Sequence, residues 1–171
     1  IEIGDKLNAD MDVLIIAALF HDLGRPYEEK TGQCHAEKGA EMAKKFLIAN
    51  DYENLVEPVS QAIYSHRYSK NIEPKSLEGK ILQDADMLDA LGSIGLYRTI
   101  SYSIEHNRDL QESKHHFYEK LLLLPSNMHF KLTKKLAMEK VKLLRLYIEG
   151  LEEEISKSDF LSLIELINSL K

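Results

Sequence analysis

The chain has 171 residues and carries 28 acidic and 22 basic side chains, a formal net charge of −6. Its length suits one domain with a sizeable core, and its charge argues against a sequence-tolerant nucleic-acid binder, which needs a basic face. The single cysteine, Cys34, excludes an internal disulfide and suits a reducing cytoplasm. No apolar run approaches the span of a bilayer, and no stretch resembles a signal peptide. Neither a membrane nor a nucleic-acid polymer is therefore expected as a partner. The first residue is Ile1 rather than a methionine, so an N-terminal piece is expected upstream of it.

Residues 1–8 carry no periodic signal. Asn8 or Asp10 suits the cap of a helix running to about Leu23, with acidic residues in the first turn where the dipole favours them. In that helix Leu14, Ala17, Ala18 and His21 recur at i, i+3, i+4 and i+7, which marks one buried face. It delivers His21 and Asp22 side by side toward the interior. Gly24 is expected to stop it in the left-handed conformation. Residues 25–33, with Pro26 and Gly32, read as a loop. A second helix starts near His35, with Ala36, Gly39, Ala40, Ala43 and Leu47 on one face and Glu37, Lys38, Glu41, Lys44 and Lys45 on the other. A third begins near Pro58, approached by Leu55 and Val56, and Val59, Ala62, Ile63 and His66 make its stripe.

Ser76 caps a fourth predicted helix whose face is Leu77, Ile81, Ala85 and Leu88. Gly92 and Gly95 follow, allowing a close backbone approach or a kink toward residues 96–104. Residues 107–114 read as a polar loop and residues 116–124 as a short helix ended by Pro125. Residues 132–151 and 160–170 are amphipathic helices, the second capped by Ser158 or Asp159. No alternating strand pattern survives, so the expected fold class is all-α, a single helical bundle over residues 1–171.

Three apolar stripes end in potential metal ligands: His21 with Asp22, His66, and the group Asp84, Asp86 and Asp89. His35 stands at a helix start. Burying an imidazole beside a carboxylate without partners costs several kcal/mol. A cation removes that cost, and the carbonyl end of a helix favours one. Imidazole and carboxylate donors from separate helices suit a divalent metal with open positions. The alternatives are a buried ion pair for His21 and Asp22, and a hydrogen-bonded core or capping role for His35 and His66. His106, His115 and His129 lie in polar surroundings and read as solvated surface residues.

The ordered set His21-Asp22-Leu23-Gly24-Arg25, His35-Ala36-Glu37-Lys38-Gly39, Ser65-His66-Arg67 and Leu82-Gln83-Asp84-Ala85-Asp86-Met87-Leu88-Asp89-Ala90-Leu91-Gly92 resembles the HD superfamily of metal-dependent phosphohydrolases. His116-Phe117-Tyr118-Glu119-Lys120-Leu121-Leu122 and the block from Leu77 to Gly95 are similar to stand-alone bacterial members. The resemblance implies the helical phosphodiesterase-like fold and a metal held by His21, Asp22 and Asp86. A helical wheel puts Asp84 and Asp89 nearer the apolar stripe than Asp86. Asp86 is chosen because it follows the family context and a cleft can open beside the stripe. Asp84 or Asp89 stay open as ligands, or as carboxylates that orient ligands and waters. The family's first histidine has no counterpart in residues 1–8 and is expected in a helix upstream of Ile1. In some relatives histidines placed like His35 and His66 hold a second metal; in others they contact the substrate phosphate.

A divalent ion makes hydroxide available near neutral pH for in-line attack on phosphorus, the base being the metal itself or a nearby carboxylate, Asp22 or Glu37. The donors do not select among Mn, Mg, Co, Ni, Fe and Zn. Arg25, Arg67 and Lys80 are the cations placed to meet developing charge. Lys120 shares a helical face with His116, and the resemblance sets both at the outer cleft. Tyr97 and Arg98 rank next, and Tyr64 and Tyr68 stack on a base or fill the core edge. The expected function is hydrolysis of a small phosphate ester or anhydride, a nucleotide above all, with a nucleoside triphosphate cleaved to monophosphate and pyrophosphate. Its rivals are a 5′-monophosphatase, a cyclic or alarmone-type phosphodiesterase, a non-catalytic module that binds a nucleotide or a protein, and a structural bundle. The C-terminal helices close the bundle or mediate a homodimer.

Overall fold

A computed structural model describes residues 1–157 together with Ser169. Apart from Ser169, the helix expected at 160–170 and its cap at Ser158 or Asp159 lie outside the described residues. The chain runs α1 (Glu2–Lys6), α2 (Met11–Phe20), α3 (Arg25–Thr31), α4 (His35–Ala49), α5 (Glu53–Ser65), α6 (Leu77–Asp89), α7 (Gly92–Glu105), α8 (Leu110–Glu119) and α9 (Lys131–Lys157). Tight 3₁₀ turns at Tyr68–Lys70 and Leu121–Asn127 complete it. The described residues contain no strand, so the all-α class holds. None of their helices is long and apolar enough to cross a membrane.

Capping follows the local chemistry. The Asp10 carboxylate accepts the amides of Asp12 and Val13 at 3.1 and 3.2 Å, and Ser76 Oγ accepts that of Gly79 at 3.0 Å. Asp109 and Glu112 form a reciprocal capping box on α8. That box corrects the polar-loop reading of residues 107–114, because polar residues here start a helix. The 116–124 segment is correspondingly split, with α8 ending at Glu119 and Pro125 lying inside the following 3₁₀ turn.

Four other expectations are corrected. Residues 2–6 form α1, too short to display a period. Residues 25–31 form α3, because Pro26 and Gly32 mark the two ends of a seven-residue helix. Gly32, at φ 74°, is its left-handed stop. Gly24 is not left-handed: its φ is −78°, and its role is steric, since a Cβ there would lie 2.3 Å from the carbonyl oxygen of His35. Helix α5 begins at Glu53, so Pro58 sits inside it and Leu55 and Val56 are part of it.

Among the described residues, the buried apolar side chains gather mainly in two clusters. One joins Val13, Leu14 and Ala17 of α2, Ala43 and Leu47 of α4, Val59, Ala62 and Ile63 of α5, and Ile81 and Leu82 of α6. The other joins Met87 and Leu88 of α6 to Phe117, Leu121, Leu124, and Ala137, Val141, Leu144 and Ile148 of α9. Helix α6 therefore contributes its first half to one cluster and its second half to the other.

Between the halves sits Asp84, fully buried. Its carboxylate accepts the amides of His129 at 3.0 Å and Phe130 at 3.3 Å, and the Thr133 hydroxyl. These bonds tie α6 to the two residues that lead into α9 and to the Thr133 side chain in its first turn. His129 is thus not a solvated surface residue. It is half-buried, with Nε2 2.7 Å from Gln83 Oε1, and the Gln83 amide donates to the Ser65 carbonyl at 3.0 Å.

Candidate metal centre

Helix α2 ends at Phe20, which makes His21 its cap and leaves the carbonyls of its last turn free. The His21 ring takes one of them: Nδ1 lies 2.7 Å from the Ala18 carbonyl oxygen. His66 caps α5 in the same way, with Nδ1 2.6 Å from the Ile63 carbonyl oxygen. A carbonyl only accepts, so both rings donate their Nδ1–H, and a neutral ring held this way presents its lone pair on Nε2. His35 opens α4, and its Nδ1 donates to the Glu28 carboxylate of α3.

These rings converge on Asp22. The Nε2 atoms of His35 and His66 lie 3.6 and 3.9 Å from Asp22 Oδ1, and His21 Nε2 lies 3.6 Å from Asp22 Oδ2. Arg25 Nε donates to that same Oδ2 at 2.7 Å. Asp22 Oδ1, His35 Nε2 and His66 Nε2 are buried with no hydrogen-bond partner among the described residues. All three fall within 4.8 Å of one another. Unpaired buried acceptors facing one point are costly unless a cation meets them, so these residues fit a divalent metal.

The electrostatics agree with the geometry. Burial pushes the Asp22 carboxyl up, but the Arg25 hydrogen bond and the His21, Arg25 and His35 charges outweigh it and hold it below the usual carboxylate range. Burial, with the neighbouring His21 and His35, pushes His66 down to about 4, against the opposing pull of the Ile63 carbonyl and Asp22. At neutral pH His66 is therefore a neutral donor. Burial and the charges of Asp22 and Asp89 raise Asp86 against His21 and Arg25.

Beside this cluster opens a cavity of about 860 Å³. His21, Asp22, Arg25, Arg67 and Asp86 line one part of it, and Arg98, Tyr102, Arg108, His116 and Lys120 another. Ala18, expected on the buried face of α2, is exposed on the cavity wall. Of the three aspartates on α6, Asp84 is committed to the start of α9. Asp86 lines the cavity, and Asp89 lines it while pairing with Arg98. The structure does not bring Glu37 or Lys80 to the site: Glu37 is exposed on α4, Lys80 is half-buried on α6, and neither lines the cavity. Sequence reasoning missed Glu28 and Arg108. The signal for Glu28 was the Pro26–Gly32 bracket around a short helix; Arg108 directly precedes the Asp109 capping box.

The family model for the HD domain matches residues 1–91. This chain belongs to the HD domain family. HD domains bind divalent metals, and here Asp22, His35 and His66 are the cluster suited to one. Among solved HD structures, a predicted HD-superfamily hydrolase from an uncultured Thermotogales bacterium is 34% identical, covering 90% of this chain and 73% of that one with a TM-score of 0.66. Bacillus subtilis YpgQ in complex with ADP is 31% identical, with 92% and 81% covered and a TM-score of 0.73. An HD-superfamily hydrolase from Bacillus thuringiensis is 28% identical, with 92% and 80% covered and a TM-score of 0.70.

Proposed function

We propose that this HD domain is a metal-dependent phosphohydrolase whose substrate is a small phosphate ester or anhydride of the nucleotide class. The observation that carries the reading is the convergence of three unpartnered buried ligand atoms, Asp22 Oδ1, His35 Nε2 and His66 Nε2, at the edge of a cavity lined by Arg25, Arg67, Arg98, Arg108 and Lys120. The ADP bound to YpgQ supports a nucleotide as the occupant. Asp22 belongs to two ligand groups. Its Oδ2 faces His21, which with Asp86 makes the set implied by the family resemblance; its Oδ1 faces His35 and His66.

A bound divalent ion supplies an activated water and offsets phosphate charge. The chain's own side chains do the rest. Arg25 ties up Asp22 Oδ2 and so orients the carboxylate with Oδ1 inward. The Tyr102 ring, 4.8 Å from the Arg108 guanidinium, holds that cation at the cavity, where Arg108 and Lys120 bind phosphate oxygens.

The test incubates the protein with Mn²⁺ and a panel of nucleoside mono-, di- and triphosphates, following inorganic phosphate and pyrophosphate separately. Turnover is expected with the wild type, and Asp22→Ala should lower it by a factor on the order of 10² or more. Activity that survives Asp22→Ala rejects the mechanism. A nucleotide that raises the melting temperature without being turned over replaces it with a binding module.

A further inference from the structure

The three histidines around Asp22 solve one problem in two ways. A ring presents its Nε2 lone pair inward only when its proton is held on Nδ1. His21 and His66 stand just past helix C-termini, where a carbonyl three residues back accepts that proton's hydrogen bond. His35 is the first residue of α4, so no turn of its own helix precedes it. Its acceptor comes from another element, Glu28 Oε2 of α3. The other oxygen, Oε1, accepts from the Arg67 guanidinium at 2.6 Å. Arg67 directly follows His66 and is steadied in turn by Ser69 Oγ at 3.0 Å from its Nε. One carboxylate thus ties the His35 ring to the segment that carries His66.

We propose that Glu28 is a positioning residue that locks His35 as the Nδ1–H tautomer, turning its Nε2 lone pair toward Asp22 Oδ1 and raising the affinity of the Asp22–His35–His66 group for a divalent cation. The inference rests on the metal-centre reading above. Carboxylates that accept from a ligating imidazole fix its ring and increase its basicity, and their loss costs roughly 10- to 100-fold in metal affinity. A surface salt bridge between Glu28 and Arg67 that served folding alone would leave the His35 tautomer untouched.

Nitrogen NMR of the imidazoles in metal-free protein reads the tautomer directly, and calorimetry with Mn²⁺ alone reads the affinity. The wild type should show Nδ1–H at His21, His35 and His66. In Glu28→Ala the His35 signal alone should move toward a tautomer mixture, with Mn²⁺ affinity about 10- to 100-fold weaker. Glu28→Gln, whose amide oxygen still accepts, should keep the tautomer and recover part of the affinity. Glu28→Ser, too short to reach the ring, should behave as Glu28→Ala and serves if the alanine variant does not fold. Nδ1–H retained at His35 in both short variants, or unchanged Mn²⁺ affinity in them, overturns the proposal. A wild type that binds no Mn²⁺ overturns the metal-centre reading instead, and the imidazole spectra still decide the role of Glu28.

Discussion

His66 shows how one buried ring ties site chemistry to stability. It is fully buried, and its pKa falls from 6.5 to about 4 in the folded metal-free protein. Between those values the unfolded chain binds a proton that the folded chain refuses. Its contribution is therefore complete above pH 6.5 and is lost as pH falls toward 4, by roughly 3 kcal/mol in all. Urea midpoints of the chelator-treated protein should fall across this window, and His66→Asn should flatten the profile. A wild-type midpoint that holds steady from pH 6.5 to 4 would contradict the burial argument.

Helix α4 reaches the site through two glycines used for closeness. A Cβ on Gly39 would sit 2.6 Å from the Phe20 carbonyl oxygen and 3.2 Å from that of His21, the end of α2. Gly24 makes the matching approach from the other side, against the backbone of His35. Together they press the first turns of α4 onto the His21–Asp22 corner. Alanine raises helix propensity by about 1 kcal/mol over glycine, but Gly39→Ala meets backbone that cannot swing aside. It should therefore destabilise by about 1–3 kcal/mol and weaken Mn²⁺ binding as His35 is displaced. Gly150→Ala, in α9 with open space around the new methyl, should instead stabilise by about 0.5–1 kcal/mol. Denaturant unfolding of the two variants checks the contrast; equal shifts would refute the packing explanation.

Across the whole molecule, α6 is the shared wall of two half-cores, and the cavity opens where they meet. The half built on α2, α4 and α5 supplies the histidines; α7, α8 and their flanking residues, which lie over the half built on α9, supply Arg98, Arg108, His116 and Lys120. Asp84 pins α9 to this wall. Its replacement by alanine leaves the amides of His129 and Phe130 without their acceptor, while the Thr133 hydroxyl keeps only the Phe130 carbonyl, and should cost about 3 kcal/mol. Asp86→Asn should do the reverse. It removes a carboxylate that burial and Asp22 make unfavourable to ionise, so stability should hold or rise while Mn²⁺ affinity and turnover fall. Paired unfolding and metal-binding measurements separate the two aspartates, and loss of stability in Asp86→Asn with intact turnover would reverse their roles.

The all-α class, the Ser76 cap, a cap at one of Asn8 and Asp10, the start of α4 at His35, and the neighbouring histidine and aspartate after α2 were legible in the residues alone. Each depends on neighbours within a turn or two, and helical period and capping chemistry are local. The division of labour among Asp84, Asp86 and Asp89 was not legible, because a helix packed on two sides has no single buried stripe, and the cleft side depends on where α7, α8 and α9 lie. The same holds for α3, for the closeness that Gly24 serves, and for His129. Their reasons sit on other elements, and only tertiary packing brings those elements within reach.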